Sequence, residues 1–218
     1  MKDMKNCKLI ACRTMEDEIQ SLIPPDLDCE YLEYALHNTP KILKEKLQEA
    51  FTADTDHDTI LLGYGLCSNS VLDISSPRHR LVIPRVHDCI SLFLGSRSRY
   101  DEEFKKVPAT YYLSKGWIKQ HGDPYSEYLK NCGIYGEEMA LEFTKMMYAN
   151  YQRVAYIHTL GDDKADVEYS KEVADFLEVD FNELEGNMAM FEALISGEWD
   201  ERFIIVEPGQ AFEQEQFM

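Results

Sequence analysis

Apolar runs of four to eight residues alternate along the chain with longer amphipathic stretches, the pattern expected of parallel strands joined by crossover helices. Strands are predicted over residues 8–13 (KLIACR), 29–36 (CEYLEYAL), 59–65 (TILLGYG) and 80–85 (RLVIPR). A helix through MEDEIQSLI follows the first strand and ends at Pro24 and Pro25, which cannot continue a helical ladder. Asn38 or Thr39 can cap a second helix with Pro40 at its first position. Ile42, Leu43, Leu47, Ala50 and Phe51 then share one face of it.

Further along, helices are predicted through DCISLFLGS and SRYDEEFKK, then a short strand ATYYLS. Residues 115–135, rich in Gly, Pro, Asn, Asp and Tyr without a clear period, read as short helices and loops. Beyond them come a helix GEEMALEFTKMMYANY, a strand RVAYIHT, a helix over 166–177, a short strand at EVDF, a helix ELEGNMAMFEALIS and a last strand RFIIVEP. The final GQAFEQEQFM shows no partner. The whole reads as one α/β domain over residues 1–218, a doubly wound, mostly parallel sheet with helices on both faces.

Charge narrows the function. The 22 basic and 40 acidic side chains leave a net charge of −18, which opposes binding to nucleic acid or to an anionic membrane. Residues 162–218 carry 17 acidic and 3 basic side chains, so this segment is expected to be a solvated acidic face. No apolar run reaches the roughly 18 to 20 residues of a membrane span, and the N-terminus lacks a signal peptide's apolar core. The expectation is a cytoplasmic protein whose six cysteines are thiols, ligands or core residues rather than disulfides.

The candidate chemistry lies in where those cysteines and the histidines fall. Cys12 ends the first strand, His37 follows the second, Cys67 the third, and His87 and Cys89 the fourth; His158 and Glu207 end later strands. In an open parallel sheet the carboxyl ends share one edge, and ligands bind there where the strand order reverses. Cys12, Cys67, His87 and Cys89, with His37 or His158, therefore form a candidate soft-metal set, suited to zinc or, with enough sulfur, to an iron–sulfur cluster. Asp88 can cap the next helix or orient an imidazole. Cys7, Cys29 and Cys132 read as core filler, and His57, His79 and His121 as solvated loop residues.

GYGLCSN carries two glycines, but it lacks the lysine of a P-loop and the third glycine of a dinucleotide fingerprint, so nucleotide binding is rejected. Arg85 stands at a strand end and suits an anion. Arg97 and Arg99 can clamp a carboxylate or phosphate, or pair with Asp101, Glu102 and Glu103 on the surface.

The segments LIAC, LHNTPKILKEKLQ, GYGLCSN, LVIPRVHDCISLFLGSRSRY, TYYLSKGWI and SGEWDERFIIVEPG resemble a bacterial and archaeal family catalogued as domain of unknown function 1638, over nearly the whole chain. The recurrent residues of that pattern map to Cys12, His37, Cys67, Asn69, Arg85, His87, Asp88, Cys89, Tyr100, Tyr111, Tyr112, Trp117 and Trp199. The resemblance carries no established reaction. It implies a setting in anaerobes and methylotrophic archaea, near corrinoid-dependent methyl transfer. The expectation is a metal-binding protein, either an enzyme acting on thiol or corrinoid methyl groups beside a methyltransferase or corrinoid partner, or a non-catalytic carrier of metal or cofactor, or an iron–sulfur redox protein. Asn69, Arg85 and Arg97 are its candidate cofactor contacts.

Overall fold

The computed structural model describes residues 4–218, except for the side chain of His37. The chain divides into two compact units, one built from residues up to Arg99 together with Asn187–Met218, the other from Tyr100–Gly186. The first boundary falls inside a continuous helix, Arg97–Lys106, which no glycine or proline interrupts, and the second follows Gly186.

The first unit holds β1 (Cys7–Cys12), α1 (Glu16–Leu22), β2 (Asp28–Leu32), α2 (Pro40–Ala53), β3 (Thr59–Gly63), β4 (Arg80–Pro84) and α3 (Ile90–Phe93). It begins the helix α4 (Arg97–Lys106), and the second unit follows. Its strands form a sheet in the order β2-β1-β3-β4, all parallel, with a last strand, Phe203–Val206, antiparallel against β4. The central strands are apolar without alternation because both faces are covered: Leu9, Ile10, Ala11, Ile60, Leu61, Leu62, Leu81, Val82 and Ile83 are fully buried. Each such aliphatic side chain contributes about 1.5–3 kcal/mol relative to exposure. From β1 the chain crosses outward to β2 through α1 and back past β1 to β3 through α2, so the strand order reverses between β1 and β3.

The second unit continues with β5 (Thr110–Leu113), α5 (Lys115–Lys119), α6 (Pro124–Tyr135), α7 (Glu137–Tyr148), β6 (Arg153–His158), α8 (Lys164–Leu177) and β7 (Asp180–Glu185). Its three strands are parallel in the order β5-β6-β7. Leu113, Val154, Tyr156, Val167, Val173 and Ala174 form its core. The chain then returns to the first unit through α9 (Ala189–Ser196) and β8 (Phe203–Val206). Mostly parallel α/β architecture, as the periodicity predicts, is what the chain adopts, in two sheets.

Several local expectations give way. The second strand stops at Leu32, because Tyr34–Asn38 wind into a short 3-10 turn. Residues 124–135, read as short helices and loops, form a twelve-residue helix. Asp123 caps it, accepting from the N–H groups of Tyr125 and Ser126 at 3.0 and 2.9 Å, and Pro124 sits at the first position. Residues 183–185 are strand, not helix, and α9 starts only where Asn187 Oδ1 takes the Ala189 N–H at 2.8 Å. The terminal GQAFEQEQFM is docked: Phe212 and Phe217 are buried and Ser75 bridges to Ala211. Glu207 does not join the carboxyl edge, because β8 runs antiparallel; it meets Arg80 at the start of β4, 3.0 Å away.

The acidic segment is divided too, residues 162–186 belonging to the second unit and 187–218 to the first. Glu178, Glu183 and Glu185 are exposed. No helix among the described residues is long and apolar enough to cross a membrane.

Candidate functional site

At the reversal of strand order, two glycines bring segments together. A Cβ on Gly63 would lie 2.6 Å from Ala11 Cβ, so β1 and β3 approach closely there. A Cβ on Gly65 would lie 2.9 Å from the backbone of Asp88. Beyond β3 and β4 the two chains stay joined, the Leu66 N–H donating to Val86 O at 2.9 Å and the Cys67 N–H to His87 O at 3.0 Å. Cys67, Ser68 and Asn69 then follow one another with φ of 43°, 55° and 67°. Three consecutive non-glycine residues in the left-handed region cost about 1–2 kcal/mol each, and strain of that kind persists where the surroundings enforce it, often at functional sites.

Three thiols, Cys12, Cys67 and Cys89, fall on these segments. Cys12 is buried at the end of β1, with Thr14 Oγ1 3.2 Å from its sulfur. Burial pushes its thiol up, partly offset by the hydrogen bonds with Thr14. Burial pushes Cys67 up to about 12, helped by the charges of Asp88 and Cys12. Cys89 is raised well above the usual thiol value, by burial and then by Cys67, Asp88 and Cys12. Cys89 feels both other thiols and Cys67 feels Cys12, and all three act on Tyr64: burial, then the charges of Cys12, Cys67 and Cys89, disfavour its ionisation. Tyr64 is 3% exposed and its hydroxyl has no hydrogen-bond partner. Ser70 Oγ, Arg85 Nε and Ser91 Oγ, on the segments that follow β3 and β4, are likewise buried without one. Buried polar groups are nearly always satisfied, so the segments that follow β3 and β4 carry donors able to serve a ligand.

The remaining sequence candidates are dispersed. His87 is exposed, and only its carbonyl joins the Cys67 turn. Asp88 takes the first of its two expected roles, its Oδ1 accepting from the N–H groups of Ile90 and Ser91 at 3.0 and 3.4 Å. The side chain of His37 lies outside the described residues. Asn69 is exposed in the left-handed turn. Arg97 donates to the carbonyl of Phe217 at 2.7 Å and so holds the docked C-terminus. Glu103 is not a surface partner for Arg97 or Arg99; it is buried and paired with Arg153 and Lys106. All six cysteines are thiols. Among the described residues no group of three or more His, Cys, Asp or Glu side chains is arranged to hold a metal ion.

His158 stands in the second unit, and both its ring nitrogens are taken, Nδ1 by Asp163 at 2.8 Å and Nε2 by Glu183 at 3.0 Å. Burial works against the imidazolium, but these two carboxylates outweigh it and raise the pKa above the usual 6.5. A histidine held this way serves as a charged clamp between the β6 end, the α8 start and β7. Because its folded pKa is raised, the stabilisation is complete below the unfolded value of 6.5 and is lost as pH rises through the folded value. Glu183→Gln is therefore expected to cost about 0.2–1 kcal/mol at pH 6 and little at pH 9. Hydrogen exchange of the amides of residues 158–163 at the two pH values checks it; equal effects at both would contradict the clamp.

Two further histidines overturn the expectation of solvated loops. His57 and His79 are buried at the opposite, amino edge of the first sheet. The sequence signal was there in two i,i+3 pairs, Asp54 with His57 and Ser76 with His79, each just ahead of a strand.

The family described as protein of unknown function, DUF1638, matches residues 31–195. The chain belongs to this family. No curated protein and no solved structure matches the chain. The matched span of this DUF1638 member begins after Cys12 and takes in Cys67, Cys89, the turn between them and the whole second unit.

Proposed function

We propose that the carboxyl edge of the first unit captures a soft transition-metal ion, zinc in the first instance, through Cys67 and Cys89 with Cys12, and with the exposed His87 swinging in from the solvent side. The observation that carries this reading is the placement of three thiols at the end of β1 and on the segments that leave β3 and β4, around the point of strand-order reversal, all three acting electrostatically on Tyr64. As placed, the side chains do not form a ligand set, so capture proceeds with rotation of Cys67, Cys89 and His87 on turns whose backbones are already locked together. The neighbouring Arg85, Ser70 and Ser91 supply donors for an anionic co-ligand. The chemistry such a metal-held thiolate suits is methyl transfer to or from a thiol or corrinoid, with a methyltransferase or corrinoid protein as partner.

Thiols raised this far are protonated at neutral pH, and a metal binds only the thiolate. Binding must therefore release protons and tighten as pH rises. Titrating the full chain with zinc or cadmium under anaerobic, chelator-free conditions tests this through the thiolate-to-metal ultraviolet band and the protons released. Two or more protons per ion are expected. Cys67→Ser and Cys89→Ser should each weaken binding at least about 100-fold, since even groups that only support metal ligands are worth 10–100-fold. Absence of both signals in the wild type overturns the proposal. Three sulfurs together are also the beginning of an iron–sulfur site, and visible absorbance separates the two, a brown protein for a cluster and a colourless one for zinc.

A further inference from the structure

The amino edge of the same five-stranded sheet carries a second cluster that the thiols do not touch. Asp54 closes α2 ahead of β3, and Ser76, Pro77, Arg78 and His79 lead into β4. Ser76 Oγ lies 2.7 Å from His79 Nδ1. The same oxygen accepts the backbone N–H groups of Arg78 and His79, at 3.3 and 3.1 Å. With its lone pairs engaged, the hydroxyl directs its proton to Nδ1, which assigns the neutral tautomer carrying its hydrogen on Nε2.

That Nε2 is buried, makes no hydrogen bond, and stands 3.5 Å from Asp54 Oδ1. Burial keeps His79 below the usual histidine value, with Asp54 opposing. Asp54 is held as a carboxylate. Burial disfavours its charge, but the His57 N–H at 3.1 Å, His57 Nδ1 at 2.9 Å and Lys8 Nζ at 3.6 Å outweigh it. Hydroxyl, imidazole and carboxylate thus stand in the order nucleophile, base and orienting group. They line a cavity of about 230 Å³ with Gln48, Phe51 and Arg78. This is below the roughly 300 Å³ at which drug-sized pockets begin, so only a short acyl group fits.

We propose that Ser76, His79 and Asp54 form an acyl-transfer site that accepts small esters, separate from the thiol edge. Ser76 Oγ bonds to the carbonyl carbon while its proton passes to His79 Nδ1, and Asp54 stabilises the imidazolium through Nε2–H. Collapse breaks the bond to the alkoxy group, which leaves with the proton from His79. Water then attacks the acyl-serine by the same route, and the acid departs. The Arg78 N–H, at 3.3 Å the longer of the two contacts, gives up the Oγ lone pair that forms the new bond, while the His79 N–H holds Oγ in place.

The experiment treats the full chain with methanesulfonyl fluoride, small enough for the cavity. An O–S bond forms at serine, the S–F bond breaks, fluoride leaves and the proton goes to the base. Fragmentation mass spectrometry should find the adduct on Ser76 in preference to Ser70 and Ser75. His79→Gln should slow it about 100-fold, the usual worth of a general base. Ser76→Ala should abolish any hydrolysis of p-nitrophenyl acetate above that of the unfolded chain. Circular dichroism establishes that each variant folds, and Asp54→Asn replaces His79→Gln if that variant does not. An unlabelled Ser76 in the wild type overturns the proposal, whatever the variants do. So does labelling that proceeds equally fast without the imidazole, which would show that Ser76 and His79 only fasten the turn into β4.

Discussion

Arg153→Ala lowers the stability of the second unit by about 3–5 kcal/mol, the usual cost of removing one partner from a buried ion pair. Arg153 is 5% exposed and Glu103 2%. The guanidinium gives Nη2 to Glu103 at 3.3 Å and Nε to Thr110 Oγ1 at 3.0 Å, tying α4, β5 and the start of β6 together. Burial alone would raise the Glu103 carboxyl, yet Lys106 and Arg153 hold it below the usual value. Without the arginine, a carboxylate is left in the interior with only Lys106, and Thr110 loses a donor. A loss of this size is a large part of the 5–15 kcal/mol that stabilises most domains. Chemical denaturation followed by circular dichroism measures it. The double variant Arg153→Met with Glu103→Leu should recover most of the loss, because no charge is then stranded. A single variant within about 0.5 kcal/mol of wild type would mean that the pair is solvated and of no structural weight.

Gly65→Ala carries the second large effect. Its Cβ would stand 2.9 Å from backbone N, C and O of Asp88. Neither chain can yield by turning a side chain, so the segments after β3 and β4 must part. The expected cost is about 1–3 kcal/mol, as for other overpacked sites. The functional consequence exceeds the energetic one, because the same approach carries the hydrogen bonds of Leu66 and Cys67 to Val86 and His87. Proton release on adding zinc should fall toward that of Cys67→Ser. Gly133→Ala is the natural control, since a Cβ there meets nothing within 4 Å and the residue lies inside α6. That change should stabilise by about 0.4–1 kcal/mol. Denaturation midpoints and zinc titrations of the two variants give the comparison. Equal metal response in Gly65→Ala and wild type would show that the thiols do not depend on the zipped turns.

Much of this was legible without coordinates. Buried parallel strands such as TILLG and RLVIP leave continuous apolar runs because both faces are covered, and α2 shows its buried Leu43, Leu47, Ala50 and Phe51 at helical spacing. The placement of Cys12, Cys67 and Cys89 at the ends of strands followed from those runs, since parallel strands must present their carboxyl ends on one edge. Other features depend on partners distant in sequence, and local pattern does not encode them. The direction of β8 puts Glu207 at the far edge, and pairing with β4 alone decides it. His57 and His79 have local partners three residues earlier, Asp54 and Ser76, but the approach of His57 Nε2 to Asp28 at 3.2 Å and of His79 Nε2 to Asp54 at 3.5 Å arises only in the fold. His158 follows a strand as the pattern says, but carboxylates on α8's leading turn and on β7 occupy both its nitrogens. Hydrophobic periodicity reports which residues leave water. Which polar groups meet once they have left it is decided by the approach of backbones at Gly63 and Gly65 and by the pairing of strands, and these arise only in the folded chain.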